Sequence, residues 1–486
     1  LKNLIEKCTT RIYNVLVVKE KTPKAIKNKI ICIGRITIMR LVKKVTAAAM
    51  ASAMALSLAA CGGNSGGDSK GTDDTETKTE GEKTDGEKTE SSSSSGAELS
   101  VSIWDTNQEP GIKEILADFT EKTGIKTEIS VVKWDEYWTM LEAGAQGGSL
   151  PDVFWMHSNE SQRYMSNDML LDLTDKIKDS DLIDPENYPE DIWGLYTYDD
   201  KYYAVPKDID TIALWYNKTL FDEAGLDYPT ADWTWDDVTE AAKKLTKDDG
   251  SQYGLAMRND NNQAGYYNLI YDNGGYIISD DKTKSGWDDE KTIAAMQTLE
   301  GWIKDGVIPS LETMSENNED VLFEAGKIAM TCQGSWMISA FKENEYTAAN
   351  CDCVELPKNA ETGRRASSYN GLGWAASASG EHTDEAWQLI EYLGSKEAQE
   401  KQAELGVTMS AYTGTSDAWA KSADFNLQAY LNMMDDMVIR PYSRTTVTWE
   451  NEDSEIMKDV FSGDKTMEEA CKAMADQMNE CLADEQ

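Results

Sequence analysis

From Leu99 onward the hydrophobic period of the chain switches between two and about 3.6, and this switching limits the fold more than any other feature. Leu99, Val101 and Ile103 alternate with polar neighbours, as a half-buried strand requires, and run into Trp104. Pro110 opens a helix with Ile112, Ile115, Leu116 and Phe119 on one face, and Gly124 stops it. Ile125, Thr127, Ile129 and Val131 alternate again, and a second helix begins near Asp135. Leu150-Pro151-Asp152 then turns into the short apolar run Val153-Phe154-Trp155. Strand, helix, strand, helix, strand predicts an α/β fold with a largely parallel sheet. Further helices are punctuated downstream. Thr234 and Asp237 form a capping-box pair ahead of Val238, Ala241, Ala242 and Leu245. The stripe Ile293, Met296, Leu299, Ile303 ends at Gly306, and Thr383 leads a helix closed by Gly394. Thr466 and Glu469 cap the last helix, and strands are expected at 212–216 and 327–331.

The N-terminal fifth reads differently. Arg40, Lys43 and Lys44 precede an apolar segment from Val45 to Ala59, which is too short for a permanent membrane span and has the layout of a secretory signal. It ends in Leu58-Ala59-Ala60-Cys61, which resembles the lipobox of bacterial lipoproteins, where the cysteine thiol takes a diacylglycerol. Residues 39–60 are therefore expected to be a lipoprotein signal peptide, with translation beginning at Met39 and 1–38 a start-site miscall. Residues 61–97 read as a lipidated Cys61 followed by a disordered tether. Gly-Glu-Lys-Thr occurs twice in it, and its r.m.s. span would be roughly 30 Å. The expected location is the extracytoplasmic face of the cell membrane, held by the lipid.

Charge excludes one class of partner. Residues 1–60 hold 12 basic and 2 acidic side chains, so the remainder carries 35 against 85, a net charge of −50. Such a surface repels nucleic acid and anionic lipid. Beyond Cys61 there are five cysteines, an odd number with no zinc or redox spacing, so no disulfide framework is implied. With two histidines, His157 and His382, and no His-Glu-x-x-His or Gly-x-Ser-x-Gly motif, metal hydrolysis and serine-triad chemistry are not expected.

Five segments, in order, carry a family resemblance. They are Ser149–His157 (Ser-Leu-Pro-Asp-Val-Phe-Trp-Met-His), Tyr203-Ala204-Val205-Pro206-Lys207-Asp208, and Ala213-Leu214-Trp215-Tyr216-Asn217-Lys218 with Leu220-Phe221. Phe323-Glu324-Ala325-Gly326-Lys327-Ile328-Ala329-Met330 leading to Gly334-Ser335-Trp336, and Asn370-Gly371-Leu372-Gly373-Trp374-Ala375, complete the set. Together they resemble the extracellular solute-binding proteins of carbohydrate ABC importers, the group that includes maltose-binding protein. The resemblance implies a two-lobed, type II periplasmic-binding-protein-like α/β fold with three interlobe crossovers. The chain would cross near Asp208–Asp210, near Asn370–Gly373 and around Val407–Thr413. One lobe would combine 98–208 with 372–409, the other 209–371 with 410–486. The implied function is a receptor that delivers a mono- or oligosaccharide to ABC permease subunits, as a monomer, without a cofactor and without catalysis.

A pyranose needs aromatic plates for its C–H faces, and planar carboxylates or amides for its hydroxyls. The chain holds 15 Trp and 21 Tyr against 7 Phe, a bias toward aromatics with a polar handle. Trp155 and Trp336 match sugar-contacting tryptophans of the family, with core packing the alternative for Trp155, and Trp104 ends the first strand, where it either contacts ligand or only walls the cleft. Trp374 and Trp449 are further aromatic candidates. Asp208 and Asp210 lie at the first crossover, where Asp210 matches a carboxylate that accepts sugar hydrogen bonds; a solvated loop acid or a partner for Lys207 are the competing accounts. Asn159, Asn370 and Gln108 offer amides, and His157 beside Trp155 offers an imidazole. Arg444 either faces the cleft or makes a structural ion pair. Rival functions are a glycoside hydrolase, which also pairs tryptophans with carboxylates, and a receptor for another small polar solute.

Overall fold

The computed structural model describes residues 97–486. The expected start at Met39, the signal segment 39–60, Cys61 and nearly all of the tether lie outside the described residues.

The strands, in chain order, are β1 (Glu98–Ile103), β2 (Lys126–Val131), β3 (Val153–Met156), the small hairpin β4 (Thr197–Tyr198) with β5 (Lys201–Tyr202), and β6 (Ala204–Pro206). Then come β7 (Ile212–Asn217), β8 (Met330–Gly334), β9 (Cys351–Glu355), β10 (Ser367–Tyr369), β11 (Gly373–Ala376) and β12 (Met437–Ile439). The first sheet has the order β2-β1-β3-β11-β6. β1 runs parallel to both β2 and β3, while β11 is antiparallel to β3 and to β6. The carboxyl ends of β1, β2, β3 and β6 therefore share one edge. The second sheet is β8-β7-β9, with β7 antiparallel to both neighbours. β10 and β12 pair in parallel beside it.

Local sequence accounts for the helices around the first sheet. The Glu109–Thr123 helix buries Ile112, Ile115, Leu116 and Phe119, the face expected from their spacing. Each such side chain contributes about 1.5–3 kcal/mol when fully buried. They meet Leu99, Val101, Ile103, Val205 and Leu389 in one core. Under the second sheet, Leu214, Trp302, Met457 and Met474 belong to another. Both expected capping boxes form, Thr234 with Asp237 and Thr466 with Glu469. The strand expected at 327–331 begins three residues later. The Lys327 N–H closes the preceding helix on Leu322 O (3.0 Å), and Ile328 makes only a lone bridge with Tyr253, so regular pairing with β7 starts at Met330.

Three segments pass between the sheets and are laced together by backbone hydrogen bonds. Lys207 N donates to Leu372 O (2.7 Å), Ile209 N to Met409 O (3.2 Å) and Asp210 N to Asn370 O (2.8 Å). Lone bridges join Asp208 to Ser410 and Asp210 to Asn370. Gly371 is needed here for closeness of approach, since a Cβ would stand 2.2 Å from the Asp208 carbonyl oxygen.

Candidate functional site

A cavity of about 650 Å³ opens where the two sheets face each other across these segments. That is the size range of small-molecule sites. From the first sheet, its lining comes from the shared edge: Trp104 to Gln108 after β1, Trp134 after β2, His157 after β3, Asp208 after β6 and Leu372 before β11. Carboxyl ends of parallel strands are where α/β sheets place their ligands. From the second sheet come Asp210 before β7, and Trp336, Met337 and Ala340 after β8. Gln263, Asp320 and Glu324 complete that wall.

Trp104, Trp134 and His157 pack edge to face on one side. Trp104 lies 5.1 Å from Trp134 at 84°, and Trp134 lies 5.3 Å from His157 at 81°. Trp134 is 39% exposed, enough to offer ring surface to a guest. Trp336 stands in the Ser335–Met337 turn on the opposite wall, half-buried.

Behind the aromatic wall runs a chain of polar contacts. Buried Lys207 donates from Nζ to Gln108 Oε1 (3.0 Å) and to Asp208 Oδ2 (2.6 Å). Gln108 in turn donates to Asp105 Oδ2 (3.0 Å), and the Leu372 N–H donates to Asp208 Oδ1 (2.7 Å). Asp208 is thus paired with Lys207, as one of the competing sequence accounts held, while still lining the cavity. Asp210 Oδ1 accepts from Gln263 Nε2 (2.5 Å) and from the Asn370 N–H (3.2 Å). Burial, reinforced by Asp208, pushes its carboxyl up to about 8. Burial, with Arg440 adding to it, drives His157 down to about 3, so its ring is neutral. With the proton on Nδ1, His157 donates to Asn159 Oδ1 (2.9 Å) and accepts from Asn370 Nδ2 (3.0 Å). Among the described residues lining the cavity there is no lysine or arginine.

The structure brings Trp104, Trp336, Asp208, Asp210, Gln108 and His157 together on the cavity wall. Trp155 is a correction. It has no exposed surface, because β3 is an interior strand and its indole points into the first core. There it supports Trp104 (centroids 4.9 Å apart) and lies under Lys207 Nζ (4.5 Å). Trp374 is buried against it. Trp449 is a second correction: it is fully buried in the second core and donates from Nε1 to Ser443 Oγ (3.1 Å). Its helix turns that face toward the Met467–Asp484 helix. Asn370 is fully buried at the crossing and Asn159 supports His157, so neither lines the cavity. Arg444 does not line the cavity and makes no ion pair among the described residues; it donates to the Glu485 backbone carbonyl.

Sequence reading missed Trp134, Gln263, Asp320, Glu324 and Met337. Trp134 was within reach, since it follows β2 as Trp104 follows β1. Gln263 sits in the irregular Asn262–Tyr266 turn, and only packing places it near Asp210.

Comparison with known proteins bears on this arrangement. A galactooligosaccharide-binding protein of Bacillus subtilis is 26% identical over 377 residues, 74% of this chain and 78% of that protein. A maltodextrin-binding protein of the same organism is 25% identical over 60% of this chain and 68% of its own length. Among solved structures, an ABC substrate-binding protein from Listeria monocytogenes in complex with cycloalternan superposes with a TM-score of 0.74 at 24% identity, covering 80% of this chain and 99% of that one. The GacH receptor of Streptomyces glaucescens gives a TM-score of 0.70 at 22% identity, with 80% and 99% covered. The two-lobed, type II binding-protein fold is common to these solved structures and to this chain. The model of the bacterial extracellular solute-binding protein family matches residues 105–400, and the chain belongs to that family.

Proposed function

We propose that this chain is a lipid-anchored extracellular receptor that captures a mono- or oligosaccharide between its lobes and hands it to an ABC-type permease. The observation that carries the reading is the cleft itself: Trp104 and Trp134 on one wall, Trp336 on the other, with Asp105, Asp208, Asp210, Asp320 and Glu324 around them. Indole faces suit the C–H faces of a pyranose, and carboxylates and amides suit its hydroxyls. The lack of a lysine or arginine among the described lining residues argues against an anionic solute such as an amino acid held by its carboxylate. Names of the relatives point the same way.

In this reading 98–208 with 372–409 and 209–371 with 410–486 move as two lobes, and the crossing segments absorb the rotation. A ligand touching both walls favours the closed form by its differential affinity. The receptor acts as a monomer and does not cleave its guest. Asp208, committed to Lys207 and to the Leu372 N–H, is poorly placed to act as half of a catalytic acid pair. Cys61 carries the lipid and 61–97 is the tether.

A thermal-shift screen against mono- and oligosaccharides tests the reading, with galactooligosaccharides first and amino acids as controls. A ligand that binds only the folded form raises the melting temperature. Trp336→Ala removes most of that rise while leaving the unliganded melting temperature nearly unchanged. A rise with amino acids alone, or release of smaller sugars on incubation, refutes it. Fatty-acid labelling that is lost in Cys61→Ser tests the anchor.

A further inference from the structure

We propose that Asp210 meets its saccharide as a neutral carboxylic acid, donating a hydrogen bond from Oδ2 to a sugar oxygen, instead of accepting one as a carboxylate. The ligand half of this inference rests on the receptor reading above; the protonation half does not. Both hydrogen bonds that the protein gives Asp210, from Gln263 Nε2 and from the Asn370 N–H, converge on Oδ1. Among the described residues Oδ2 has no hydrogen-bond partner, yet it is not sealed off, and the residue, 7% exposed, lines the cavity. A proton carried by Asp210 therefore has one place to sit, the oxygen that faces the guest.

The surroundings favour keeping that proton. Asp208, two residues away, is a second buried acid. The cations near the pair give their hydrogen bonds to groups other than Asp210. Lys207 is bound to Asp208 and Gln108. Arg440, after β12, gives Nη2 to both carboxylate oxygens of Glu450 (2.6 and 2.7 Å). His157, at the end of β3, is neutral, and Tyr196 sits close enough for Asp208 and Asp210 to raise its phenol. Gln263 supplies only an amide. A buried carboxyl with a like-charged neighbour resists ionisation, and here burial and Asp208 outweigh the opposing pull of the Arg440 charge, in accord with titration near pH 8.

The chemical consequence is selectivity for an acceptor. A carboxylate can only accept, and any hydroxyl satisfies it. A carboxylic acid can donate to a ring or glycosidic oxygen that has no proton of its own.

The first measurement needs no ligand. Infrared difference spectra of the parent protein minus Asp210→Asn should show the carbonyl stretch of a protonated carboxyl at about pH 6, lost by about pH 10 with a midpoint near 8. Taking the difference against the variant removes Asp272 and Asp453, buried acids whose titration is also raised. Absence of that band at about pH 6 overturns the inference, whatever the ligand proves to be. In the second measurement, calorimetric affinity for a galactooligosaccharide should fall about thirtyfold between about pH 6.5 and 9.5 in the parent. Asp210→Asn, which keeps a donor at the Oδ2 position, should change by less than about threefold over the same range. Equal pH profiles for the two proteins overturn the donor role. Failure of every saccharide to bind at any pH overturns the receptor reading and the ligand half with it, and the infrared band then decides the state of Asp210 alone.

Discussion

Gly334→Ala tests how the sequence around β8 holds Trp336 in the cleft. The glycine ends β8 directly beneath the indole. A Cβ there would lie 2.0 Å from Cζ3, 2.2 Å from Cε3 and 2.2 Å from Cη2 of Trp336. Carbon atoms settle about 3.5–4.0 Å apart, so the ring must move by about 1.5 Å or more. The backbone at Gly334 (φ −79, ψ 161) is ordinary for alanine, so the conflict falls on the ring and not on the chain. Trp336 is half-buried at the edge of the second core and borders the cavity, so the ring has open space on one side to move into. The variant should therefore lose less than about 1–2 kcal/mol of folding stability. Loss of the stacked ring should weaken saccharide binding by about 2–3 kcal/mol, a rise in Kd of roughly thirty- to a hundred-and-fiftyfold. Tryptophan-fluorescence titration with the best sugar from the screen measures the loss, and a urea melt measures stability. A double-mutant cycle identifies the cause: in a Trp336→Ala background the extra methyl should cost almost nothing, because the ring it displaces is gone. Parent-like affinity in Gly334→Ala, or a full second loss on top of Trp336→Ala, refutes the argument.

Lys207→Met should destabilise the protein by about 3–5 kcal/mol in a denaturant melt, because Asp208 is left buried without its cation. His157 titrates near 3 in the folded state against 6.5 for a free imidazole, so the unfolded chain takes up that proton first. Its contribution is full above about pH 6.5 and is lost as the pH falls toward 3, so the parent should lose stability relative to His157→Gln across that window in pH-dependent melts. Thr466→Ala removes the hydroxyl that accepts from the Glu469 N–H (3.3 Å) and should cost about 1 kcal/mol without altering ligand affinity.

Much of the fold was legible because period and punctuation are local. The spacing of Ile112, Ile115, Leu116 and Phe119 set the buried face of the first helix, and both capping boxes formed where Thr-x-x-acid predicted them. The candidate site was legible where a residue lies close to a strand end, as with Trp104, Asp208, Asp210 and Trp336. It was misread where a tryptophan on a strand was taken for a plate. Whether Trp155 faces a guest or the core depends on what covers that face of the sheet, and the Thr383–Gly394 helix packs over β3 and β11 there.

Sequence alone determined the alternation of strands and helices, the helix boundaries and the acidic, aromatic inventory, because these depend on neighbours a few residues apart. Tertiary structure decided which members of that inventory face solvent. Asp208 lost its freedom to Lys207, Asp210 gained Gln263 from a turn more than fifty residues away, and Trp134 came to stand beside His157. Burial and pairing are properties of the packed sheets, so no local pattern in the chain could assign them.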